Sequence, residues 1–208
     1  MALQHFSTKD RILHAAEDLF AQQGFASTSL RQVTSRADVN IAAVNYHFGS
    51  KDNLVNEVFR RRMDEMSAQR IAALQQAVTA SPGQLEPILA AFIEPALAIA
   101  QDRHGGSAFI RVIARAYAES NDSLRKFLSD QYGYVPREFA KAIHACVPAL
   151  DKEELYRRLD FLSGALTYAM ADFGLIKRPA GVSGAAHRQR AAKALIRFAS
   201  AGFHADSA

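Results

Sequence analysis

The chain has 208 residues, of which 49% are hydrophobic and 22% are charged, and its formal net charge is +4. This mixture of apolar residues with charges of both signs excludes a wholly disordered chain, and frequent alanine with few β-branched clusters favours helices over sheet. Residues 1–66 hold as many acidic as basic side chains, so bulk charge alone does not indicate that this part binds nucleic acid.

Two helices are predicted at the N-terminal end. Ser7 is the expected cap of the first, because an acidic residue follows three positions later. Gly24 ends this helix, because glycine readily adopts the left-handed conformation of helix C-termini. The second helix runs from residue 28 or 29 to about residue 37. Asp38 then occupies the tight turn, since aspartate tolerates a positive φ better than most residues.

A third and a fourth helix follow. Asn40 caps the third, over Ile41–Phe48, and Gly49 ends it. Ser50 caps the fourth, which runs from Lys51 to about Thr79. The first three helices are too short to be stable alone, so we expect them to pack with the start of the fourth as one unit.

The rest of the chain is also predicted to be helical. After a Pro-Gly break at residues 81–83, apolar spacing indicates helices at roughly Gln84–Gln101, Ser107–Glu119, Asp122–Ala145, Asp151–Ile176 and Ala185–Phe203. No alternating strand pattern and no internal repeat is found. We therefore predict an all-α fold of about nine helices, with an N-terminal three-helix domain over residues 7–66 and a larger C-terminal domain over residues 67–208.

The second and third helices, joined by a tight turn, match a helix-turn-helix, whose second helix lies in the major groove of DNA. At 100° per residue, Val44 and Phe48 point into the small core, whereas Ala42, Ala43 and Tyr46 point outward. Outward alanines let the backbone approach base edges closely. Burial of these three residues inside the same subunit would contradict DNA binding.

Polar side chains flank this outward face. The amide of Asn45 suits bidentate contact with adenine, and Tyr46, His47 and Lys51 suit contacts with phosphates. The capped helix starts at residues 28–29 and 50–51 present backbone N–H groups to phosphates. The alternative is that Asn45 and His47 merely cap or pack a small helical domain.

The segment from Gly24 to Leu54 closely resembles the N-terminal domain of TetR/AcrR-type transcriptional regulators. The resemblance is carried by Gly24-Phe25, Thr28 and the run VNIAAVNYHFGSKDNL over residues 39–54. It implies DNA contacts from the start of the second helix, the third helix and the lysine that opens the fourth, namely Thr28, Ser29, Asn40, Ala42, Ala43, Tyr46, His47 and Lys51. It also implies a homodimer, a palindromic operator and, by default, repression.

Two positions depart from the family pattern, which usually has an aromatic residue in place of Asn45 and a glycine in place of Asp38. The third helix carries neither lysine nor arginine. We therefore expect base reading by Asn45, few ionic contacts in each subunit and a shallow salt dependence of DNA affinity.

A heptad seam on the penultimate helix is predicted to form the dimer. The seam comprises Leu155, Leu159, Leu162, Leu166, Ala169, Phe173 and Ile176. A second stripe holds Phe161, Ala165 and Tyr168, and the last helix has one face with Ala191, Leu195, Phe198 and Gly202 and another with Ala192, Ile196, Ala199 and Phe203. Four helices, two from each copy, would bury these faces. An intrachain core is the alternative.

The middle helices are rich in aromatic residues, most of which are expected in the core. The family resemblance implies a ligand pocket here, and the candidate contacts are Phe92, Phe109, Arg111, Arg115, Tyr117, Phe127, Tyr132 and Tyr168. The blocks at 109–112 and 124–128 resemble the PsrA-type branch, whose regulators respond to long-chain fatty acids or their CoA esters. Arg111 and Arg115 share a helix face and suit a carboxylate or phosphate, or else pair with acids such as Glu119.

Other functional classes find little support. No phosphate-binding or nucleophile-elbow motif is present, and His144 near Cys146 lacks further ligands at metal spacing, so we expect no enzyme, cofactor or metal site. A single cysteine, no signal-peptide pattern and no apolar run of about 20 residues predict a cytoplasmic protein that does not enter the membrane. The rival function is a helical interaction scaffold without DNA binding.

Overall fold

The computed structural model describes residues 6–99, 106–119, 121–171 and 176–206. Over these ranges the chain forms ten α-helices and no strand, which confirms the all-α prediction. The helices are α1 (Thr8–Ser27), α2 (Leu30–Ala37), α3 (Ile41–Phe48), α4 (Lys51–Ala80), α5 (Leu85–Ile99), α6 (Gly106–Ala118), α7 (Asp122–Tyr132), α8 (Tyr134–Cys146), α9 (Lys152–Met170) and α10 (Gly184–His204). None of the helices within these ranges combines the length and apolarity that crossing a bilayer requires.

The predicted helix starts in the N-terminal part are confirmed. The side chains of Ser7, Ser29 and Asn40 each accept a hydrogen bond from the backbone N–H three residues later. At Ser29 the cap is reciprocal, since the Gln32 side chain returns to the Ser29 N–H at 2.7 Å. Asp38 adopts φ 51° and ψ 57°, so it closes α2 in the left-handed conformation as expected.

The predicted helix over 122–145 is instead two helices, which raises the number from about nine to ten. The break follows Tyr132, at Gly133. Pro136 explains it, because proline has no N–H to donate to the carbonyl of Tyr132 and its ring would clash with that carbonyl in a continuous helix. In the first turn of a new helix the same proline is tolerated.

The chain divides into two compact units. The first comprises residues 1–64 and 103–130, and the second comprises residues 65–102 and 131–208. The first boundary falls close to the predicted one at residue 66, but α6 and most of α7 belong to the first unit because α6 packs on α1. This spatial division differs from the predicted functional division into residues 7–66 and 67–208, which stays a prediction.

A row of phenylalanines forms the core of the first unit. The ring centroids of Phe20 and Phe25 lie 5.3 Å apart, those of Phe25 and Phe59 6.2 Å apart, and those of Phe59 and Phe109 5.6 Å apart. The row thus joins α1, α4 and α6. Full burial of such a ring contributes about 1.5–3 kcal/mol, and each aromatic pair adds about 0.5–1.5 kcal/mol.

The core of the second unit is built around α5, which packs against α8, α9 and α10. Pro95 lies inside α5 and removes a hydrogen bond from the helix. Close to this point the buried Arg70 of α4 donates from Nε to the carbonyl of Phe92 at 2.8 Å, and its guanidinium lies 4.0 Å from the centroid of the Phe92 ring. The arginine therefore satisfies a backbone carbonyl beside the interrupted turn.

The assignment of the heptad leucines to a subunit interface is corrected. All four lie at 3–4% exposure inside their own unit, where α9 packs on α5, α8 and α10: Leu155, Leu159, Leu162 and Leu166. The intrachain alternative therefore applies to them. The helix ends at Met170, so Ile176 does not continue the seam, and Phe173 lies outside the described residues. On α10, Leu195 is half-buried and Phe198 is exposed.

Candidate nucleic-acid interface

The orientation of α3 is as predicted. Val44 and Phe48 are 0% and 5% exposed, whereas Tyr46 is 86% exposed. Ala42 is also exposed and Ala43 is half-buried. The helix therefore turns its small and polar side outward and is held in its unit by two apolar anchors. This confirms the facing on which the helix-turn-helix interpretation depends.

Arg11 of α1 holds the turn that precedes α3. Its Nε and Nη2 donate to the carbonyl of Ala37 at 3.0 and 2.6 Å, and Nη2 also donates to the carbonyl of Asp38. The Asp38 carboxylate lies 3.6 Å from the same nitrogen. Sequence reasoning missed Arg11, because a contact across 26 positions leaves no local pattern.

The other end of α3 is closed by Gly49 and the first turn of α4. The Gly49 N–H donates to the carbonyl of Asn45 at 3.0 Å, with φ 73°. The Asn53 side chain donates to the carbonyl of Phe48 at 3.0 Å, while its backbone N–H donates to the Ser50 hydroxyl at 3.1 Å. Both ends of α3 are thereby fixed by hydrogen bonds.

The outward face carries groups suited to DNA. Asn45, Tyr46 and His47 are exposed, and the Tyr46 and His47 rings meet edge to face at 5.1 Å. An exposed amide can pair with a base edge, and a phenol or imidazole can donate to a phosphate. Asn40 is exposed, and its Oδ1 accepts from the Ala43 N–H and so caps α3. The amide nitrogen of the same side chain is a hydrogen-bond donor.

The Thr28 side chain does not belong to this surface, and its predicted role is corrected. Thr28 is 1% exposed, and its hydroxyl donates to the carbonyl of Gly24 at 2.7 Å. Its backbone N–H donates to the carbonyl of Phe25 at 3.3 Å. Ser29 is exposed, and Arg31 in the first turn of α2 is exposed as well. The sequence analysis did not select Arg31, although a basic residue two positions after the Ser29 cap was a signal that could have found it.

Lys51 lies at the start of α4, half-buried, with Nζ 3.4 Å from the carbonyl of Ala26. Other basic residues nearby are paired with acids. Arg36 Nη2 is 3.1 Å from the carboxylate of Asp18, and Lys9 Nζ is 3.2 Å from that of Glu57.

His14 lies on α1 in a pocket shared with Arg11, Asp18 and Arg36. Desolvation by burial lowers the pKa of His14 below 6.5, and the positive charge of Arg61 lowers it further. The fold therefore favours the neutral imidazole of His14.

At the start of α1, the Ser7 hydroxyl donates to the Asp10 carboxylate at 2.6 Å and lowers the pKa of that carboxyl.

The predicted ligand contacts are divided between the units. Phe109, Arg111, Arg115 and Phe127 lie in the first, whereas Phe92, Tyr132 and Tyr168 lie in the second. Phe109 is fully buried, and Phe92 packs edge-on to Phe139 at 5.1 Å, so for these two the core interpretation applies. The side chain of Tyr117 lies outside the described parts of the chain.

The remaining candidates have varied surroundings. Phe127 is half-buried, with the Arg60 guanidinium 5.1 Å from its ring centroid, and Tyr132 is 7% exposed. Tyr168 is half exposed and Arg111 is exposed. Arg115 donates from Nη2 to the carbonyl of Gln22 at 3.1 Å.

An apolar face remains exposed on the second unit, where α9 and α10 pack together. Phe161 and Phe198 are 69% and 73% exposed, and they border a groove of about 280 Å³ that also includes Ala165 and Leu195. Arg158 closes one end by donating to the carbonyls of Gly202 and Ala205 at 2.6 and 2.8 Å. Large exposed aromatic side chains grouped in this way are typical of an interface.

Comparison with solved structures supports the fold. A TetR family transcription regulator from Shewanella sp. PV-4 superposes with a TM-score of 0.64 at 21% identity, covering 95% of this chain and 96% of that one. A transcriptional regulator from Saccharomonospora viridis, solved in complex with choline, superposes with a TM-score of 0.60 at 20% identity, covering 91% and 95%. At 20–21% sequence identity, this similarity shows a shared fold and nothing more specific.

Curated relatives match only part of the chain. The transcriptional repressor Rv3405c of Mycobacterium tuberculosis is 39% identical over 105 residues, which are 50% of this chain and 44% of the relative. The probable regulator YttP of Bacillus subtilis is 44% identical over 52 residues, 25% of each chain. The match thus spans a quarter to just under half of these relatives.

Two family profiles match the chain. Residues 12–58 match the bacterial regulatory proteins of the tetR family, and residues 90–202 match the tetracyclin repressor-like C-terminal domain. The first match contains α2 and α3 with the outward face described above, and the second alone covers more than half of the chain. On this ground the chain belongs to the TetR family of transcriptional regulators and is not an enzyme.

Proposed function

We propose that this regulator binds a palindromic operator as a homodimer, with α3 in the major groove, and represses transcription until a small apolar molecule releases it. The observation that carries the proposal is the facing of α3, with Tyr46 at 86% exposure and Val44 fully buried. In this proposal residues 7–66 supply the DNA-binding part and residues 67–208 the ligand-binding and dimerisation part, and the protein acts in the cytoplasm.

Each group on and beside the outward face of α3 has a role in this proposal. Ala42 and Ala43 bring the backbone close to base edges, and Asn45 reads an adenine through its amide. Phosphate contacts come from Ser29, Asn40, Tyr46, His47 and Lys51, with Arg31 added from the structure. Because α3 itself has no lysine or arginine, base reading and hydrogen bonds contribute more than ionic contacts.

Operator binding is tested with duplexes from the region upstream of the protein's own gene, by gel retardation and fluorescence anisotropy. Tyr46→Ala and Asn45→Ala are each expected to weaken binding about tenfold, the effect of losing one good hydrogen bond at an interface. Tyr134→Ala is the matched control, since Tyr134 is 42% exposed on α8. Unchanged affinity in both α3 variants would contradict major-groove docking of α3.

The dimer is proposed to form through the exposed face of α9 and α10, with a second copy as the occupant. Phe161, Tyr168 and Phe198 are 69%, 50% and 73% exposed, and a twofold axis would pair this face with itself. Light scattering should give twice the chain mass of 22.8 kDa for the wild type. Phe161→Glu with Phe198→Glu should give a monomer, whereas Val78→Glu, at another exposed apolar site on α4, should leave the dimer intact.

The ligand class stays a prediction from the resemblance to the PsrA-type branch: a long-chain fatty acid or its CoA ester. The helix α4 carries residues of both units, so a ligand that changes its tilt would change the spacing of the two recognition helices. Palmitate, palmitoyl-CoA and choline are added separately to the operator complex. Release by palmitate or palmitoyl-CoA supports the prediction, and unchanged operator affinity at saturation excludes that compound.

A further inference from the structure

Helix α1 contains one residue with non-helical geometry. Gly24 has φ 84° and ψ 173°. In a regular helix the N–H groups of Phe25 and Ala26 would donate to the carbonyls of Ala21 and Gln22. The non-helical conformation of Gly24 disturbs these hydrogen bonds. The N–H groups of Phe25 and Ala26 therefore need other acceptors.

The end of α6 supplies those partners. The carboxylate of Glu119, directly after α6, accepts from the N–H of Phe25 at 3.1 and 3.2 Å and from the N–H of Ala26 at 3.2 Å. Arg115, one helical turn earlier, donates to the carbonyl of Gln22 at 3.1 Å. Glu119 as acceptor and Arg115 as donor therefore bind two backbone N–H groups and one carbonyl near the C-terminal end of α1. Hydrogen bonds that involve a charged group are stronger than neutral ones.

Gly24 makes this approach sterically feasible. A Cβ at this position would lie 2.1 Å from Oε1 and 3.1 Å from Cδ of Glu119. Its positive φ also disfavours any residue with a side chain. The glycine that the sequence marked only as a helix end is thus the site where the carboxylate reaches the backbone.

The clamped segment leads directly into α2. The Thr28 hydroxyl donates to the carbonyl of Gly24, and Ser29 then caps α2. Lys51, at the start of α4, reaches the carbonyl of Ala26 at 3.4 Å. A shift of residues 24–26 would therefore move the start of α2, against which α3 packs.

We infer that Arg115 and Glu119 are positioning residues for operator binding, which clamp the junction of α1 and α2 and so hold α2 and α3 in their DNA-binding arrangement. The inference rests on the proposed function. Both residues lie within the part of the chain that matches the C-terminal family profile, whereas their targets lie within the N-terminal match. Neither residue is on α3, so their effect on DNA is exerted through the backbone that they hold.

The test uses the full chain and its operator, at a temperature where every variant is folded by circular dichroism. Glu119→Ala is expected to weaken operator binding about tenfold, the effect of losing a hydrogen bond to a charged group. Glu119→Gln keeps a carbonyl acceptor and should restore part of the affinity. Glu138→Ala is the control, because Glu138 is exposed and pairs with Lys141 on its own helix. Wild-type affinity in Glu119→Ala would overturn the inference.

A double-mutant cycle tests whether Glu119 acts through the glycine. Gly24→Ala places a methyl group where the carboxylate lies, so it should weaken operator binding by itself. In that background Glu119→Ala should have little further effect, because the clamp is already broken. Additive effects of the two substitutions would overturn the inference.

Amide hydrogen exchange separates this inference from the proposed function. Exchange at Phe25 and Ala26 should be faster in Glu119→Ala than in the wild type, while exchange within α9 stays unchanged. Equal exchange at both amides would overturn the clamp, whether or not DNA is bound. If the wild type binds no operator while exchange responds as expected, the proposed function fails and the clamp stands as a structural link.

Discussion

The guanidinium of Arg11 donates to the carbonyl of Ala37 from two nitrogens, at 3.0 and 2.6 Å, and so joins the first helix to the end of the second. It also donates to the carbonyl of Asp38, the residue that makes the left-handed turn before α3. One side chain thus satisfies both carbonyls at the turn of the helix-turn-helix. Its removal tests how rigidly that turn is held.

Arg11→Ala should lower the free energy of unfolding by about 1–3 kcal/mol, because partly buried carbonyls lose a charged donor. Arg11→Lys should recover only part of this, since an ammonium cannot reproduce the planar, two-nitrogen contact. Urea denaturation followed by circular dichroism measures both. Arg137→Ala, at an exposed site on α8, serves as the control. Equal stability of Arg11→Ala and the control would contradict the assigned role.

Acidification should destabilise the first unit through His14. Burial lowers its pKa in the folded state, so between the folded and unfolded pKa values the unfolded chain binds more protons. Stability is therefore full above about pH 6.5 and falls as the pH drops through and below that value. His14→Gln should flatten this part of the profile, measured by urea denaturation from pH 7.5 to 5. An identical pH profile in the variant would exclude His14 as the cause.

A pair of substitutions on α9 separates core from interface. Leu159 is 4% exposed, so Leu159→Ala should cost about 2–5 kcal/mol of unfolding free energy through the lost contacts and the cavity. Phe161, two residues later, is 69% exposed, so Phe161→Ala should chiefly weaken the dimer. Urea denaturation at fixed concentration and sedimentation equilibrium measure the two effects. If Leu159→Ala were monomeric but as stable as the wild type, the heptad leucines would have to lie at the subunit interface instead of in the core.

The salt dependence of operator binding reports how many phosphates are neutralised. The slope of log K against log salt concentration is about −0.9 per ionic phosphate contact, and α3 contributes neither lysine nor arginine. We expect a shallow slope that becomes shallower still in Lys51→Gln. Arg137→Gln, on α8, should leave the slope unchanged. Release of about ten or more counterions by the dimer would contradict the expectation.

Local patterns predicted the helix-turn-helix well. Caps at Ser7, Ser29 and Asn40 and the turn at Asp38 depend on groups three or four residues apart, so their signals lie within one turn of sequence. The outward facing of Tyr46 follows from the helical period once Val44 and Phe48 are taken as anchors. These features could therefore be predicted without knowledge of how the helices pack. One helix was predicted over residues 122–145, because the helical spacing of the apolar residues was given more weight than Pro136.

The amino-acid sequence by itself determined that the chain is helical, where its N-terminal helices begin, and which side of α3 faces outward, because those properties depend on neighbours a few positions apart. It placed the end of the first helix at Gly24, whereas α1 runs to Ser27. The tertiary structure alone decided that Leu159 is core, that Thr28 is buried and that Glu119 holds the end of α1. Helical periodicity reveals an apolar face but not its partner. Contacts across more than 90 positions, such as Glu119 to Phe25, exist only once the helices pack.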